Sequence, residues 1–450
     1  MFSSPSRPLA WMLFICALWM SLVTAAPHAK VVLSPSKDPF YQPPKGYEKE
    51  HPGTILRSRT LGPKSLAAFS AFPQNIANAY QFLYRTTDAL GNPDATVTTL
   101  MVPHNANASR LVSYQVMQDS ASNDCNPSHV LQKGEGLKGV ITQAELLFMD
   151  TLLERGWYVN TADYEGSKAS FTVGAMAGHA VLDAIRAVLA SGNLTAIKSD
   201  AQVQLWGYSG GALASGWATQ LQPSYASELK IIGAALGGTP VDLNATLSAV
   251  GGGPFAGLAP SGINGLANQY PELAAYVDSI LIPKKKKAFY KAKDLCLAQA
   301  ALQYAFQNMD SYVTRPDYTN APVAKKILEE SVMGRADTPT IPLFMYHAEH
   351  DEVVPYKPAG NMYKDWCSGG ATIEFVKDEL SEHIVLFITG AANAIIYLED
   401  RFKGVAVHEG CSSRTTVTSL LDHGAIGVFG KVIWDALNAL LGLPIGPGNL

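Results

Sequence analysis

The feature that most limits how this chain can fold is a serine wedged between a strand pattern and a helix pattern. Val203, Leu205 and Trp206 belong to an apolar run that leads straight into Gly207-Tyr208-Ser209-Gly210-Gly211, and small residues, Ala212, Ala214, Ser215 and Gly216, follow at once. A chain that passes from strand to helix in so few residues turns sharply. Side chains two places either side of the serine would strike the neighbouring strand or helix, so glycines at 207 and 211 are needed there. The same turn lifts the Ser209 hydroxyl above the edge of a sheet. Glycine-rich serine loops are frequent, and this one gains its meaning from the strand before it and the small-residue helix after it.

Such a turn demands a sheet covered by helices, and the rest of the chain supplies the pattern. Short β-rich runs at 96–102, 111–117, 157–160, 203–206, 231–236, 342–346 and 373–376 alternate with helical patterns, notably at 137–155, 179–191 and 211–220. Several runs are continuously apolar, as expected of parallel strands buried on both faces. The alternation predicts an α/β fold built on a mostly parallel, doubly wound sheet. It breaks at about 240–318, where Gly251-Gly252-Gly253-Pro254 opens a stretch with helical patterns around 271–281 and 288–309. A helical interruption inside a sheet domain reads as an inserted lid or cap over the carboxyl edge of the strands. The 450 residues exceed the roughly 250–300 at which single cores stop growing, which fits one large domain, 27–450, carrying an insert. Residues 27–55 are proline-rich and are expected to wrap the surface.

A serine hydroxyl is a weak nucleophile and needs a positioned base, itself oriented by a carboxylate. After a strand-turn-helix serine the chain order is acid, then histidine. The turn after strand 342–346 reads His347-Ala348-Glu349-His350-Asp351-Glu352-Val353-Val354-Pro355. Asp351 is the preferred acid, with Glu349 and Glu352 as rivals; His347 and His350 stand too near it in the same turn to be the base. Three histidines follow: His383, His408 and His423. His383 lies between strand 373–376 and an apolar helix expected at 384–402, a position that delivers an imidazole to the sheet's carboxyl edge. His408 and His423 read as surface or structural residues. The backbone N–H of Gly210, next after the nucleophile, is the first expected donor to an oxyanion.

The amino end and the cysteines concern the compartment. Residues 1–26 combine Arg7, an apolar run over 9–23 and small residues at 25 and 26, the layout of a cleaved secretory leader. Cys125, Cys296, Cys367 and Cys411 remain beyond it, an even number suited to an oxidising route. Three pairings are open: Cys367 with Cys411 would bracket a late segment, and Cys125 with Cys296 would close a long loop. Asn107, Asn193 and Asn244 each begin an Asn-X-Ser/Thr triplet, expected to be exposed and open to glycosylation. A hydrophobic content of 47% against 16% charged residues excludes a disordered chain, and a net charge of −4 leaves no electrostatic footprint for nucleic acid.

Taken together, Gly207-Tyr208-Ser209-Gly210-Gly211, Asp163-Tyr164-Glu165-Gly166, Leu182-Asp183-Ala184-Ile185-Arg186, the turn from Asp351 to Pro355, and Ser381-Glu382-His383 resemble the fungal secretory lipases related to Candida antarctica lipase A. The resemblance covers about 41–450. It implies an α/β-hydrolase fold, lipase or carboxylesterase activity, a helical lid, two disulfides, and neither metal nor cofactor. It also implies that Asp119, in Gln118-Asp119-Ser120-Ala121 after strand 111–117, supplies the second oxyanion donor. A carboxylate cannot donate, so either the Asp119 backbone N–H or a protonated side chain does so. The histidine-led glycine triplet of many esterases is absent there. The apolar tail at 428–450 is expected to form a flap beside the pocket. The Asp163–Gly166 element is expected to be structural and near the site, and Asp183 with Arg186 a local pair.

The expected activity is therefore that of a secreted serine ester hydrolase, with triacylglycerol the preferred substrate. Alternatives are a carboxylesterase or deacetylase of small or secondary-metabolite esters, a peptidase or acyltransferase using the same triad, and a non-catalytic secreted binding protein on the same scaffold. The expected partner is a lipid or ester substrate, with a lipid–water interface met through Pro254, Phe255, Leu258, Ile263 and Leu266 or these residues forming ordinary cap core. Neither nucleic acid nor an obligate protein partner is expected. The run Lys284-Lys285-Lys286-Lys287, with Lys291 and Lys293, reads foremost as a solvated face and otherwise as contact with anionic lipid, at about 1 kcal/mol per lysine.

Overall fold

The computed structural model describes residues 32–69, 74–136 and 138–428. The leader expected at 1–26 and the flap expected at 428–450, except for Val428, lie outside the described residues.

One sheet of ten strands organises the described chain, in the order β1-β2-β3-β5-β4-β6-β7-β8-β9-β10. The strands are β1 (Ile55–Thr60), β2 (Asn78–Thr87), β3 (Pro93–Val102), β4 (Arg110–Gln115), β5 (Tyr158–Ala162), β6 (Gln202–Tyr208), β7 (Ile231–Gly237), β8 (Leu343–Ala348), β9 (Ile373–Asp378) and β10 (Cys411–Thr416). The pairs β1–β2, β2–β3 and β3–β5 are antiparallel; from β5 through β4 to β10 every pair is parallel.

Helices cover both faces because strand residues alternate between two cores. In β6, Val203 and Leu205 join the core that receives Val181, Leu182 and Ile185 of α2 (Gly174–Ala190). Trp206 and Tyr208 point the other way, into the core that receives Leu146, Met149 and Leu152 of α1 (Val140–Glu154). The chain leaves β4 for β5 on one side of it and later returns to β6 on its other side. The carboxyl ends of β4 and β6 therefore flank a topological switch point, where a crevice opens in sheets of this kind. The turn after β6 begins α3 (Gly210–Tyr225), and it carries Ser209.

Between β7 and β8 the chain runs through α4 (Leu243–Val250), α5 (Leu258–Gln269), α6 (Pro271–Ile280), α7 (Leu297–Tyr304) and α8 (Pro322–Glu330). This helical stretch continues past residue 318, through α8. The long helical pattern at 288–309 is broken into Lys286–Tyr290, a 3-10 turn at Lys291–Asp294, and α7. Elements that the sequence patterns do not single out include β1, β2, β10, α8 and the helix α9 (Tyr356–Ser368). The helix expected at 384–402 is two, α10 (His383–Thr389) and α11 (Ala391–Lys403), bent by 41°. A Cβ on Gly390, at the bend, would lie 2.7 Å from the Tyr346 ring, so a glycine is what lets this corner pack onto β8.

The two cysteine pairs are Cys125–Cys296 and Cys367–Cys411. The first joins the loop after β4 to the start of α7, and the second joins α9 to the edge strand β10. Asn107, Asn193 and Asn244 are all exposed.

Candidate active site

Ser209 stands between β6 and α3 with φ 52° and ψ −121°, a conformation an L residue adopts only under constraint. The constraint is visible at the flanking glycines. A Cβ on Gly207 would lie 2.1 Å from the Gly211 carbonyl oxygen, and one on Gly211 would lie 2.0 Å from that of Gln115. The turn is thus pressed against both its own helix and strand β4, and Ser209 N–H donates to Gly237 O at 2.9 Å to hold it on β7.

His383 opens α10, and its Nε2 lies 2.9 Å from Ser209 Oγ. Its Nδ1 lies 2.7 Å from Asp351 Oδ2. A carboxylate only accepts, so Nδ1 carries the hydrogen and Nε2 is left to accept from the serine hydroxyl. Asp351 in turn accepts on Oδ1 from the Val353 and Val354 N–H groups, at 3.0 and 2.6 Å, in the turn after β8. Three side chains 174 and 32 positions apart in sequence therefore form one chain of hydrogen bonds at the carboxyl edge of the sheet. Burial lowers the His383 pKa, but the Asp351 carboxylate and its hydrogen bond outweigh burial and leave it raised above 6.5. Burial pushes Asp351 up, and His383, with His347 and the Val354 N–H, more than reverses it, leaving this carboxyl below its ordinary value.

Residues whose part the sequence did not disclose fix this geometry. Glu352, a rival for the acid, instead accepts the His383 backbone N–H at 2.7 Å and so ties the acid's turn to the imidazole's helix. The Tyr208 hydroxyl donates to His383 O at 2.7 Å. His347 is buried, its pKa lowered by burial; its Nε2 lies 2.9 Å from Val354 O and 3.5 Å from Asp351 Oδ2, bracing the turn. Glu349, the other rival, is exposed and pairs with Lys377 at 3.0 Å. His350, His408 and His423 are exposed, and the last two line a different cavity with Glu374 and Arg414. Asp183 and Arg186 pair at 2.8 Å.

Asp119 follows β4 with φ 48° and is buried. A Cβ on Gly210 would lie 1.8 Å from Asp119 Oδ1, so only glycine fits at 210 while Asp119 covers it. That Oδ1 has no hydrogen-bond partner among the described residues, and burial pushes the carboxyl up to about 7, with His383 pulling it back.

Asp119, Ser209 and Gly210 line one pocket. The rest of its lining comes mainly from the helices between β7 and β8, including Leu247, Leu258, Ile263, Leu266 and Val277. Leu258, Ile263 and Leu266 thus face the pocket, and Phe255 packs on the core. In the lysine run, Lys286 pairs with Asp278 and Lys285 lies over the Tyr312 ring, while Lys284 and Lys287 are exposed.

Residues 131–410 match the family model described as secretory lipase. Lipase A of Arthroderma benhamiae is 41% identical, over 92% of this chain and 90% of the relative. Lipase 5 of Candida albicans is 40% identical, with 92% and 90% covered. Candida antarctica lipase A in its closed state superposes with a TM-score of 0.81 at 31% identity, covering 93% of this chain and 99% of that one. A rice cell wall degrading esterase, LipA of Xanthomonas oryzae, has a TM-score of 0.62 at 15% identity, a likeness of fold alone. A strand-turn-helix serine on a mostly parallel sheet, with relatives this similar over this much of their length, makes the chain a carboxylic ester hydrolase of the α/β-hydrolase fold that belongs to the secretory lipase family.

Proposed function

We propose that this protein is a secreted triacylglycerol lipase that works through an acyl-enzyme on Ser209. The observation that carries the reading is the hydrogen-bonded chain from Ser209 Oγ through His383 to Asp351, opening onto an almost wholly apolar pocket. His383 Nε2 takes the serine proton as Oγ attacks the ester carbonyl, and returns it to the leaving alcohol. Asp351 holds the imidazole in the tautomer that can accept and stabilises the imidazolium that forms. The carbonyl oxygen becomes an oxyanion, stabilised by the Gly210 N–H together with Asp119. Water then repeats the sequence on the acyl-enzyme and releases the fatty acid. A pocket lined by leucine, isoleucine and valine side chains favours a long acyl chain over an acetyl group, since each buried methylene contributes about 0.8 kcal/mol. Secretion is supported by the leader-like residues 1–26, by two disulfides, and by the name of the family.

A chain-length series, from acetyl esters to long-chain triglycerides, tests the substrate. Rising kcat/KM with acyl length supports the lipase reading; a maximum at acetyl would replace it with a small-ester esterase or deacetylase. Labelling by a fluorophosphonate, lost in Ser209→Ala, tests the nucleophile.

A further inference from the structure

The geometry points to Tyr164, Glu145 and Glu165 as positioning residues that hold the loop after β4 so that a single N–H, that of Asp119, is left to meet the oxyanion. This rests on the proposed acyl-transfer reading and concerns groups that touch no substrate themselves.

The loop from Val116 to Ser120 has four consecutive N–H groups after its first residue. That of Met117 donates to Glu145 Oε1 at 2.8 Å. Besides Val116 O, that of Gln118 reaches the Tyr164 hydroxyl oxygen at 3.3 Å. That of Ser120 donates to Glu165 Oε1 at 3.3 Å. Among the described residues the Asp119 N–H has no acceptor, although it lies in the middle of the row. A buried N–H without a partner costs about 1–3 kcal/mol, and Asp119 is also held at φ 48°. Two unfavourable features at one buried residue persist only where the surroundings over-determine them.

The surroundings do so. The Tyr164 hydroxyl donates to Val116 O at 2.8 Å while accepting from Gln118 N–H, so one oxygen pins both sides of the bend. Glu145 takes the Tyr114 hydroxyl on its second oxygen at 2.8 Å, and Glu165 takes the Gln118 side-chain amide at 2.6 Å. All three side chains are buried, with exposures of 0–2%. Glu145 comes from α1 on one side of the sheet, and Tyr164 and Glu165 come from the turn after β5. The loop is therefore gripped from two independent elements, as well as through Ser120 Oγ, which donates to Leu295 O at 2.8 Å. Holding a donor in place before charge develops is what makes it effective, because no reorganisation is then needed at the moment of reaction.

Tyr164→Phe removes one oxygen atom and leaves the packing of the ring. With p-nitrophenyl butyrate, the expected result is a fall in kcat of about tenfold, less than the loss of a whole oxyanion donor, with KM within about twofold by the same argument. The inhibition constant of an alkyl boronic acid, which forms a tetrahedral adduct on the serine, should weaken by the same factor as kcat. Glu165→Gln, which sets an amide donor against the Gln118 amide, is read in the same way should Tyr164→Phe not fold. Glu145→Gln keeps an acceptor for Met117 N–H and should recover most of the activity that Glu145→Leu loses. Tyr84→Phe, which deletes a buried hydroxyl bonded to Ala180 O, is the control and should leave kcat unchanged. A folded Tyr164→Phe or Glu165→Gln protein with wild-type kcat and boronate affinity would overturn the inference, as would equal losses in the Tyr84→Phe control. A wild-type protein that neither cleaves the ester nor takes a fluorophosphonate would instead sink the acyl-transfer reading, so the two failures are distinguishable.

Discussion

Replacing Asp351 by asparagine tests the proposed triad through hydrogen-bond directions alone. Asp351 Oδ1 receives two N–H groups, one of them at 2.6 Å, so an amide nitrogen cannot occupy that place. The asparagine oxygen must stay there, and its NH2 must then face His383 Nδ1, 2.7 Å from the present carboxylate oxygen. A donor opposite Nδ1 makes Nδ1 the acceptor and moves the ring hydrogen to Nε2, where it points at Ser209 Oγ. The serine proton then has nowhere to go. Inverting the tautomer in this way costs about 10⁴ in kcat in an enzyme with this mechanism, or roughly 5 kcal/mol of transition-state stabilisation. The assay is kcat and KM on p-nitrophenyl butyrate at pH 8, with fluorophosphonate labelling rates and thermal unfolding alongside. KM should change little, labelling should slow in step with kcat, and the fold should persist because size and the two backbone contacts are retained. A folded Asp351→Asn protein with more than a tenth of wild-type kcat would refute the argument that this carboxylate sets the tautomer.

The same pair predicts opposed pH optima for stability and activity. His383 is raised above its ordinary 6.5, so its contribution to stability is complete below 6.5 and is lost as pH rises through the folded value; that of Asp351, lowered from 3.8, is present above 3.8 and lost as pH falls through the folded value. The pair thus stabilises most between 3.8 and 6.5, whereas the proposed catalysis needs a neutral imidazole and should rise only above that window, which parallel unfolding and pH–rate profiles will check. Removing Cys125–Cys296, with a sequence separation of 171, should cost about 5 kcal/mol by loop entropy, against about 4 for Cys367–Cys411, with a separation of 44; guanidinium unfolding of the two double-serine variants should preserve that order. Leu247→Trp fills part of the apolar pocket; excluding about four methylenes at 0.8 kcal/mol each should lower kcat/KM for long-chain esters about 100-fold and leave butyrate within about twofold, whereas an equal fall for both would show that the pocket does not hold the chain.

The elements legible in the sequence share one property: their signal is local. The parallel centre of the sheet is buried on both faces, so β6 and β7 read as apolar runs whatever lies beside them. The edges lack that signal. In β10, Cys411–Thr416, only the two ends are even partly covered, and Ser412, Ser413 and Arg414 between them are exposed, so nothing in its composition separates it from a loop. What makes it a strand is its register with β9 and the disulfide from Cys411 to α9. The bend at Gly390 was hidden for the same reason: an apolar helix pattern passes unbroken through 384–402, and the cause of the break is the Tyr346 ring on a strand far away in sequence.

The candidate site divides along the same line. Ser209 announces itself because the glycines that its turn requires are its own neighbours, and Asp351 and His383 follow from strand ends in a fixed order. Glu352 stands beside Asp351 as a rival acid, and the sequence prefers Asp351 without disclosing what Glu352 does. The difference lies in which backbone each one faces: Asp351 turns inward to two N–H groups of its own turn and to the imidazole, and Glu352 reaches the N–H of His383. Glu145 and Glu165 carry even less local signal, because a glutamate on a helix or in a turn reads as a solvent-facing charge until its partner is known, and their partners are N–H groups 28 and 45 residues away. Buried carboxyl groups are costly unless they receive hydrogen bonds. A chain that keeps two of them under one five-residue loop is therefore using them to fix that loop's backbone, and the loop is the one that brings Asp119 over Gly210.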